Sequence, residues 1–352
     1  MVKIPAVELS GSPFERGERH GREFATEIRE NKEFYLDYFD TRGIENARGY
    51  ADSVIDEFAD QHGEFIEEME GVAEGAGLSL TDVGLINFRH TIFYSADEAQ
   101  ENEDCTSLGI APEATDGAHT YVGQNWDWKL GVNELVMTVR QRSKSDFVAL
   151  TEAGLVGGKM GMNEAGIGFA VNGLNTPADG ADPTRTPSHI RSRQILDAER
   201  LDQAVEAVVG SPRPTSRNYL LGQATGEIIN IETTPTDSYY SHPRDGVLTH
   251  TNHFVTAESV TSTLERRVPH SITRRARATR LFETCERPVT EADIKRVLRD
   301  HVGKPKSICR HQTDGAPTDS GTRASLIFDL SSGVAHIANG PPCEHAYAEY
   351  HL

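Results

Sequence analysis

Lysine is scarce in this chain of 352 residues: it supplies only 8 of the 35 basic residues, against 54 acidic ones and a formal net charge of -19. The net negative charge argues against nucleic acid as a partner, because phosphates require a basic face. Acid scattered along the chain with little lysine is the composition of proteins from salt-loving cells, where screening weakens self-repulsion, so a halophilic protein is expected. Long apolar runs are missing as well. No stretch of eighteen exists, which excludes a membrane-spanning helix. The opening MVKIPAVELSGSPFERGERHG has no apolar leader core and becomes strongly polar by Glu15, so a cytoplasmic location is expected. Cysteine is sparse: Cys105, Cys285, Cys309 and Cys343 lie far apart and form no CxxC pair, which argues against a disulfide framework or a zinc ribbon. His250 and His253 in THTNHF come nearest to a metal motif. On a strand, residues three apart face opposite sides, so no metal is expected there.

Hydrophobic residues at 37% and charged residues at 25% describe a globular protein with one large core or two modest ones. Ser12-Pro13-Phe14-Glu15 is a capping-box pattern with proline at the first helical position, predicting a helix towards Asp37. Helical spacing of Val54, Ile55, Phe58, Phe65, Ile66 and Met69 predicts a second helix within 46–74, and Ser79 to Asp82 opens a third through Phe93. From Cys105 onward the pattern turns to strands, including SLGIA, TYVGQNWDW, ELVMTVRQR and the hairpin GKMGMNEAGIGFAVNGL. Helices return near 187–209 and 271–301, before terminal strands at RASLIFDL and VAHIANG. The segment NTPADGADPTRTPSH reads as a surface loop. Blocks of strands between blocks of helices imply an α+β design, with residues 1–104 mainly helical, 105–352 β-rich, and the two together one folded unit.

Cys105 sits where an acidic run ends and an apolar strand begins. Five of the eight residues from Asp97 to Asp104 are carboxylates, which favours a solvated, flexible stretch. Read alone, Cys105 is either a small buried hydrophobe or a reactive thiol. The blocks GSPFERGERHG, CTS, GQNWDW, TEAGLVGGKMGMNEAGIG, PSHI, THTNH and SICRH point further. Their order and spacing resemble the acyl-coenzyme A:6-aminopenicillanic acid acyltransferase (isopenicillin N acyltransferase) family of autoproteolytic cysteine hydrolases.

That resemblance implies a four-layer α-β-β-α N-terminal nucleophile hydrolase fold, and cleavage of the Asp104-Cys105 bond so that Cys105 heads a new chain. An α-amino group has a reference pKa of about 7.7 to 8.0, so the cut would also create a base beside the thiol. Well-known family members carry glycine where this chain has Asp104. Asp127 in GQNWDW matches the aspartate that holds the new amino group, and an acid between Trp126 and Trp128 needs a partner in any case. Asn252 matches the asparagine that meets the developing oxyanion. Arg323 is the best match to a family arginine near the C terminus, with Arg310 the fallback. His250 is a minor candidate as a Cys-His partner. The implied activity is cleavage or transfer of the acyl group of a small amide or thioester, with a coenzyme A thioester as one conceivable donor and no bound cofactor. The alternatives are an uncut Cys-His amidohydrolase and an inactive small-molecule-binding relative. The implied assembly is a heterodimer of the protein's own two fragments.

Overall fold

The structure is a computed structural model that describes residues 3–94, 104–182 and 184–352. Most of the acidic run before Asp104 lies outside the described residues. The capping box forms as its chemistry dictates. Ser12 Oγ accepts from the Glu15 amide, and the Glu15 carboxylate accepts from the Ser12 amide at 2.8 Å. The chain enters through β1 (Ala6–Ser10), then α1 (Pro13–Glu23), α2 (Ala25–Thr41), α3 (Ala47–Phe58), α4 (Gly63–Ala76), α5 (Leu80–Asn87) and α6 (Arg89–Phe93). Each of the three helices predicted here is therefore two. The breaks fall at Phe24, at residues 59–62 and at Phe88, where apolar periodicity continues across a bend and gives no warning of it.

Glycine lets α1 and α4 touch backbone to backbone. A Cβ on Gly17 would lie 1.9 Å from the Glu68 carbonyl, and one on Gly71 would lie 2.2 Å from the Phe14 carbonyl. Any larger residue would force these helices apart. Beneath that contact Glu68 accepts from Arg16 at 2.7 Å and from Arg193 at 3.3 Å.

The strands that follow are β2 (Thr106–Ile110), β3 (Tyr121–Lys129), β4 (Glu134–Arg140), β5 (Phe147–Glu152), β6 (Met160–Asn163) and β7 (Ile167–Gly173). After α7 (Ser188–Leu196) and α8 (Leu201–Val209) come β8 (Arg217–Gln223), β9 (Ile228–Thr233), β10 (Ser238–Ser241) and β11 (Val247–His250). Helices α9 (His270–Glu283) and α10 (Glu291–Leu298) precede β12 (Ser320–Asp329), β13 (Val334–Asn339) and β14 (Tyr347–His351). One sheet has the order β1-β4-β5-β6-β7-β8-β9-β10 and the other β11-β2-β3-β12-β13-β14.

The sheets pack face to face through β2 and β3 against β7 and β8. This explains why β2, β3 and β7 are buried along their whole length instead of alternating. Helices α7 and α8 cover the larger sheet. On the smaller one, Ala278, Phe282, Ile294 and Val297 of α9 and α10 close a second core over Leu108, Ile110 and Ile327. The architecture is an α-β-β-α sandwich, as the resemblance implies and in keeping with the α+β reading. Strand β1 pairs in parallel with β4, so the N-terminal segment supplies an edge of the larger sheet. Further ties run from the N-terminal helices to the strands. Asn31 Nδ2 donates to the carbonyls of Asn133 and Ala153, Tyr35 donates to Glu152 at 2.7 Å, and Arg89 pairs with Glu152 at 2.8 Å.

Candidate active site

Cys105 immediately precedes β2 and is fully buried. Strand β2 lies between β11 and β3, with Thr106 opposite Asn125, so Cys105 comes alongside the GQNWDW segment. Its Sγ lies 3.8 Å from the Asp127 carbonyl, as a thiol donor to that oxygen.

Arg274 organises the surroundings from α9. Its Nη1 donates to the Cys105 carbonyl at 2.7 Å and to Thr106 Oγ1 at 2.8 Å, while Nη2 donates to Asn252 Oδ1 at 3.0 Å. One buried guanidinium thus fixes both the backbone of the candidate nucleophile and the amide of the candidate oxyanion donor. Asn252 follows β11 and is also fully buried. Its Nδ2 donates to the Gly173 carbonyl at the end of β7, at 3.2 Å, which uses one of two amide hydrogens.

The two aspartates are in opposite electrostatic states. Asp104 is buried, which alone would raise its pKa. The hydrogen bond from His270 Nε2 at 2.8 Å and the charges of Arg310, 2.7 Å away, and Arg274, 3.9 Å away, outweigh burial and hold it well below the usual carboxylate range. Asp127 accepts from Thr322 Oγ1 at 2.7 Å through Oδ1, whereas buried Oδ2 has no hydrogen-bond partner among the described residues. Desolvation dominates there, and only partly offset by Arg310 and Arg274 it pushes the carboxyl up to about 7. A cation presented to Oδ2 would reverse that shift.

Cys105, Asp104, Asp127 and Asn252 are therefore brought together, and Arg310 joins them through Asp104. Arg323 is not. A β-bulge interrupts β12 between Thr322 and Ala324, and the Arg323 guanidinium donates to the Val132 carbonyl at 2.9 Å, leaving Thr322 to meet Asp127. His250 is spent on Glu232, 2.9 Å from its Nε2, and His253 Nδ1 lies 2.8 Å from Ser271 Oγ. The strand ends at His250, so alternation does not extend to His253, and the two rings stack with centroids 6.5 Å apart instead of facing away from each other. Sequence reasoning missed Arg274 and His270. The signal for Arg274 was present: it occupies the same helical stripe as Ser271, Ala278 and Phe282, an arginine at a core position.

The family model described as acyl-coenzyme A:6-aminopenicillanic acid acyl-transferase matches residues 114–343, a span that includes Asp127, Asn252 and Arg274 and begins downstream of Cys105. The acyl-coenzyme A:6-aminopenicillanic-acid-acyltransferase 40 kDa form of Emericella nidulans is 27% identical over 282 residues, covering 79% of this chain and 75% of that protein. Among solved structures, a mutant conjugated bile acid hydrolase from Clostridium perfringens superposes with a TM-score of 0.47 at 14% identity, over 66% of this chain and 89% of its own. Penicillin V acylase from Agrobacterium tumefaciens gives 0.46 at 19% identity, over 67% and 83%.

Proposed function

The chain belongs to the acyl-coenzyme A:6-aminopenicillanic acid acyl-transferase family, and on that premise we propose that Cys105 is the nucleophile of a self-processing enzyme that cleaves or transfers the acyl group of a small amide or thioester. The observation that carries the reading is the Asp127 carboxyl, buried with Oδ2 unpartnered on the residue whose carbonyl meets the Cys105 thiol. Cutting the bond before Cys105 creates the cation this carboxyl needs.

In the maturation step the Cys105 sulfur bonds to the Asp104 carbonyl carbon and the carbon-nitrogen bond breaks. The thiol proton goes to the departing nitrogen. Water then cleaves the thioester, leaving a carboxylate on Asp104 and a free thiol and amine on Cys105. In turnover the amine takes the thiol proton, Asp127 holds the amine, and the second amide hydrogen of Asn252 serves the oxyanion. The acyl-enzyme then passes its acyl group to water or to an amine, and the acyl donor can be an amide or a coenzyme A thioester. Arg310, His270 and Arg274 now grip the Asp104 carboxylate, and withdrawal of that residue would free a cationic niche suited to a substrate carboxylate.

The two fragments remain associated as a heterodimer, and the acidic, lysine-poor surface suits a cytoplasm rich in salt. No helix among the described residues is long and apolar enough to cross a membrane. The test is a denaturing gel. Wild type should split after residue 104 of 352 into pieces of 104 and 248 residues, and Cys105→Ala should stay whole. An intact wild type, or efficient cleavage of the alanine variant at the same bond, would overturn self-processing.

A further inference from the structure

Beside the active site, three side chains of the loop after α10 meet a cysteine from a distant loop. His301 follows α10, Cys309 and His311 lie before β12, and Cys343 lies between β13 and β14. One ligand atom from each falls within 4.8 Å of all the others. The two sulfurs are 3.6 Å apart. His311 Nε2 is 3.7 Å from Cys309 Sγ, 3.4 Å from Cys343 Sγ and 3.1 Å from His301 Nε2.

A tetrahedral zinc ion has bonds of about 2.3 Å to sulfur and about 2.0–2.1 Å to nitrogen, which sets sulfur-sulfur, sulfur-nitrogen and nitrogen-nitrogen edges of about 3.8, 3.6 and 3.3 Å. Four of the six separations match those edges to within about 0.3 Å, and the two from His301 to the sulfurs lie within 4.8 Å. A hydrogen-bond network explains them less well. His311 Nε2 lies close to three other ligand atoms, yet a ring nitrogen has one proton or one lone pair to share, whereas one cation satisfies all four ligands at once.

We infer that His301, Cys309, His311 and Cys343 form a structural zinc site, closed by four protein ligands. Binding the dication displaces one proton from each thiol. The outer shell fits as well. Glu344 Oε1 lies 3.4 Å from His311 Nδ1, the nitrogen facing away from the cluster, as carboxylates do behind metal-bound histidines. The Asp300 carbonyl accepts from the Cys309 amide, the Pro305 carbonyl accepts from the His311 amide, and Arg299 Nε donates to the Pro342 carbonyl, so two ligands and the residue before a third are held without metal. The absence of a CxxC pair hid the site, because a C-x-H pair is completed here by a histidine earlier in the same loop and a cysteine from the loop between β13 and β14.

The ligands Cys309 and His311 flank Arg310, whose guanidinium grips Asp104. An ion pinned on both sides of Arg310 therefore makes it a fixed positioning residue, a consequence that rests on the reading of Asp104-Cys105 given above.

The test uses full-length Cys105→Ala protein, kept reduced, stripped with a chelator and titrated with cobalt(II). One equivalent should give the intense visible bands and thiolate charge transfer of a four-coordinate sulfur-nitrogen site, and one equivalent of zinc should bleach them. Cys343→Ser, at an exposed ligand position, should lose the charge-transfer intensity and bind at least a hundredfold more weakly. Glu344→Gln should weaken binding by about tenfold or more. A pale six-coordinate spectrum, no binding, or a spectrum unchanged in Cys343→Ser would overturn the site. In wild type, chelation should slow cleavage after residue 104. Tight cobalt binding with unaltered cleavage would overturn the link to Arg310 and leave the coordination standing.

Discussion

Replacing Asp127 by asparagine in the uncut protein should stabilise it, and should do so more as pH rises. In the intact chain the carboxyl is raised from 3.8 to about 7 because the charged form is desolvated. That displacement amounts to about 4 kcal/mol in favour of the neutral acid, at roughly 1.36 kcal/mol per pH unit. The sign follows from proton counting. Between pH 3.8 and about 7 the folded state holds a proton that the unfolded state has lost, so stability falls as pH rises through this window and levels off above it. The assay compares urea unfolding of Cys105→Ala with Cys105→Ala/Asp127→Asn at fixed salt. Between pH 5 and pH 7 the gap should widen towards the double variant by roughly 2–3 kcal/mol, with no further change above pH 8. Taking the difference cancels the shared groups that do not interact with Asp127. Parallel curves would show that Asp127 is already ionised and partnered in the uncut chain, and the argument for a missing cation would fall.

Asn252→Ala, assayed as processed protein only, should lower kcat by about a hundredfold to a thousandfold with little change in KM; near-normal turnover would remove Asn252 from the oxyanion role. Processed Asp127→Asn should shift the pH-rate profile as well as lower it, and a profile superimposable on wild type would make Asp127 purely structural. Arg274→Met leaves the Cys105 carbonyl and Asn252 without their donor and Asp104 without one of its charges, so chemical denaturation should show a loss of about 3–5 kcal/mol, with maturation slowed on the gel. Gly17→Ala should lower stability by about 1–3 kcal/mol or more through overpacking against α4, and an unchanged melting temperature would refute the close helix approach. Melting temperature should rise with potassium chloride, whereas a fall would sink the halophilic reading.

What could be read from the sequence was whatever local chemistry determines. The Ser12–Glu15 box, the helical content between Pro13 and Phe93 and the paired strands after Cys105 follow from capping and periodicity. The breaks at Phe24 and Phe88 and the strand Ala6–Ser10 depend on tertiary partners, β4 above all, and carry no local mark. At the site, Cys105, Asp127 and Asn252 could be named because short motifs surround them. Arg323 could not be excluded, since a bulge decides which of Thr322 and Arg323 meets Asp127, and a bulge is a property of two strands. His301 and Cys343 are neighbours only because the loop after α10 meets the loop between β13 and β14.

The parallel pairing of β1 with β4 gives the proposed cut an unusual history. The strand Ala6–Ser10 is stitched to Ala149's sheet by hydrogen bonds that scission does not touch, and Asn31, Tyr35 and Arg89 reach into the β-rich piece in the same way. The smaller fragment would therefore stay where it folded. Yet the covalent link that let the two regions find each other as a unimolecular event would be gone, so reassembly after denaturation becomes a second-order reaction that slows on dilution. The mature enzyme would then persist by the height of its unfolding barrier instead of by repeated refolding, and its working lifetime would be a rate.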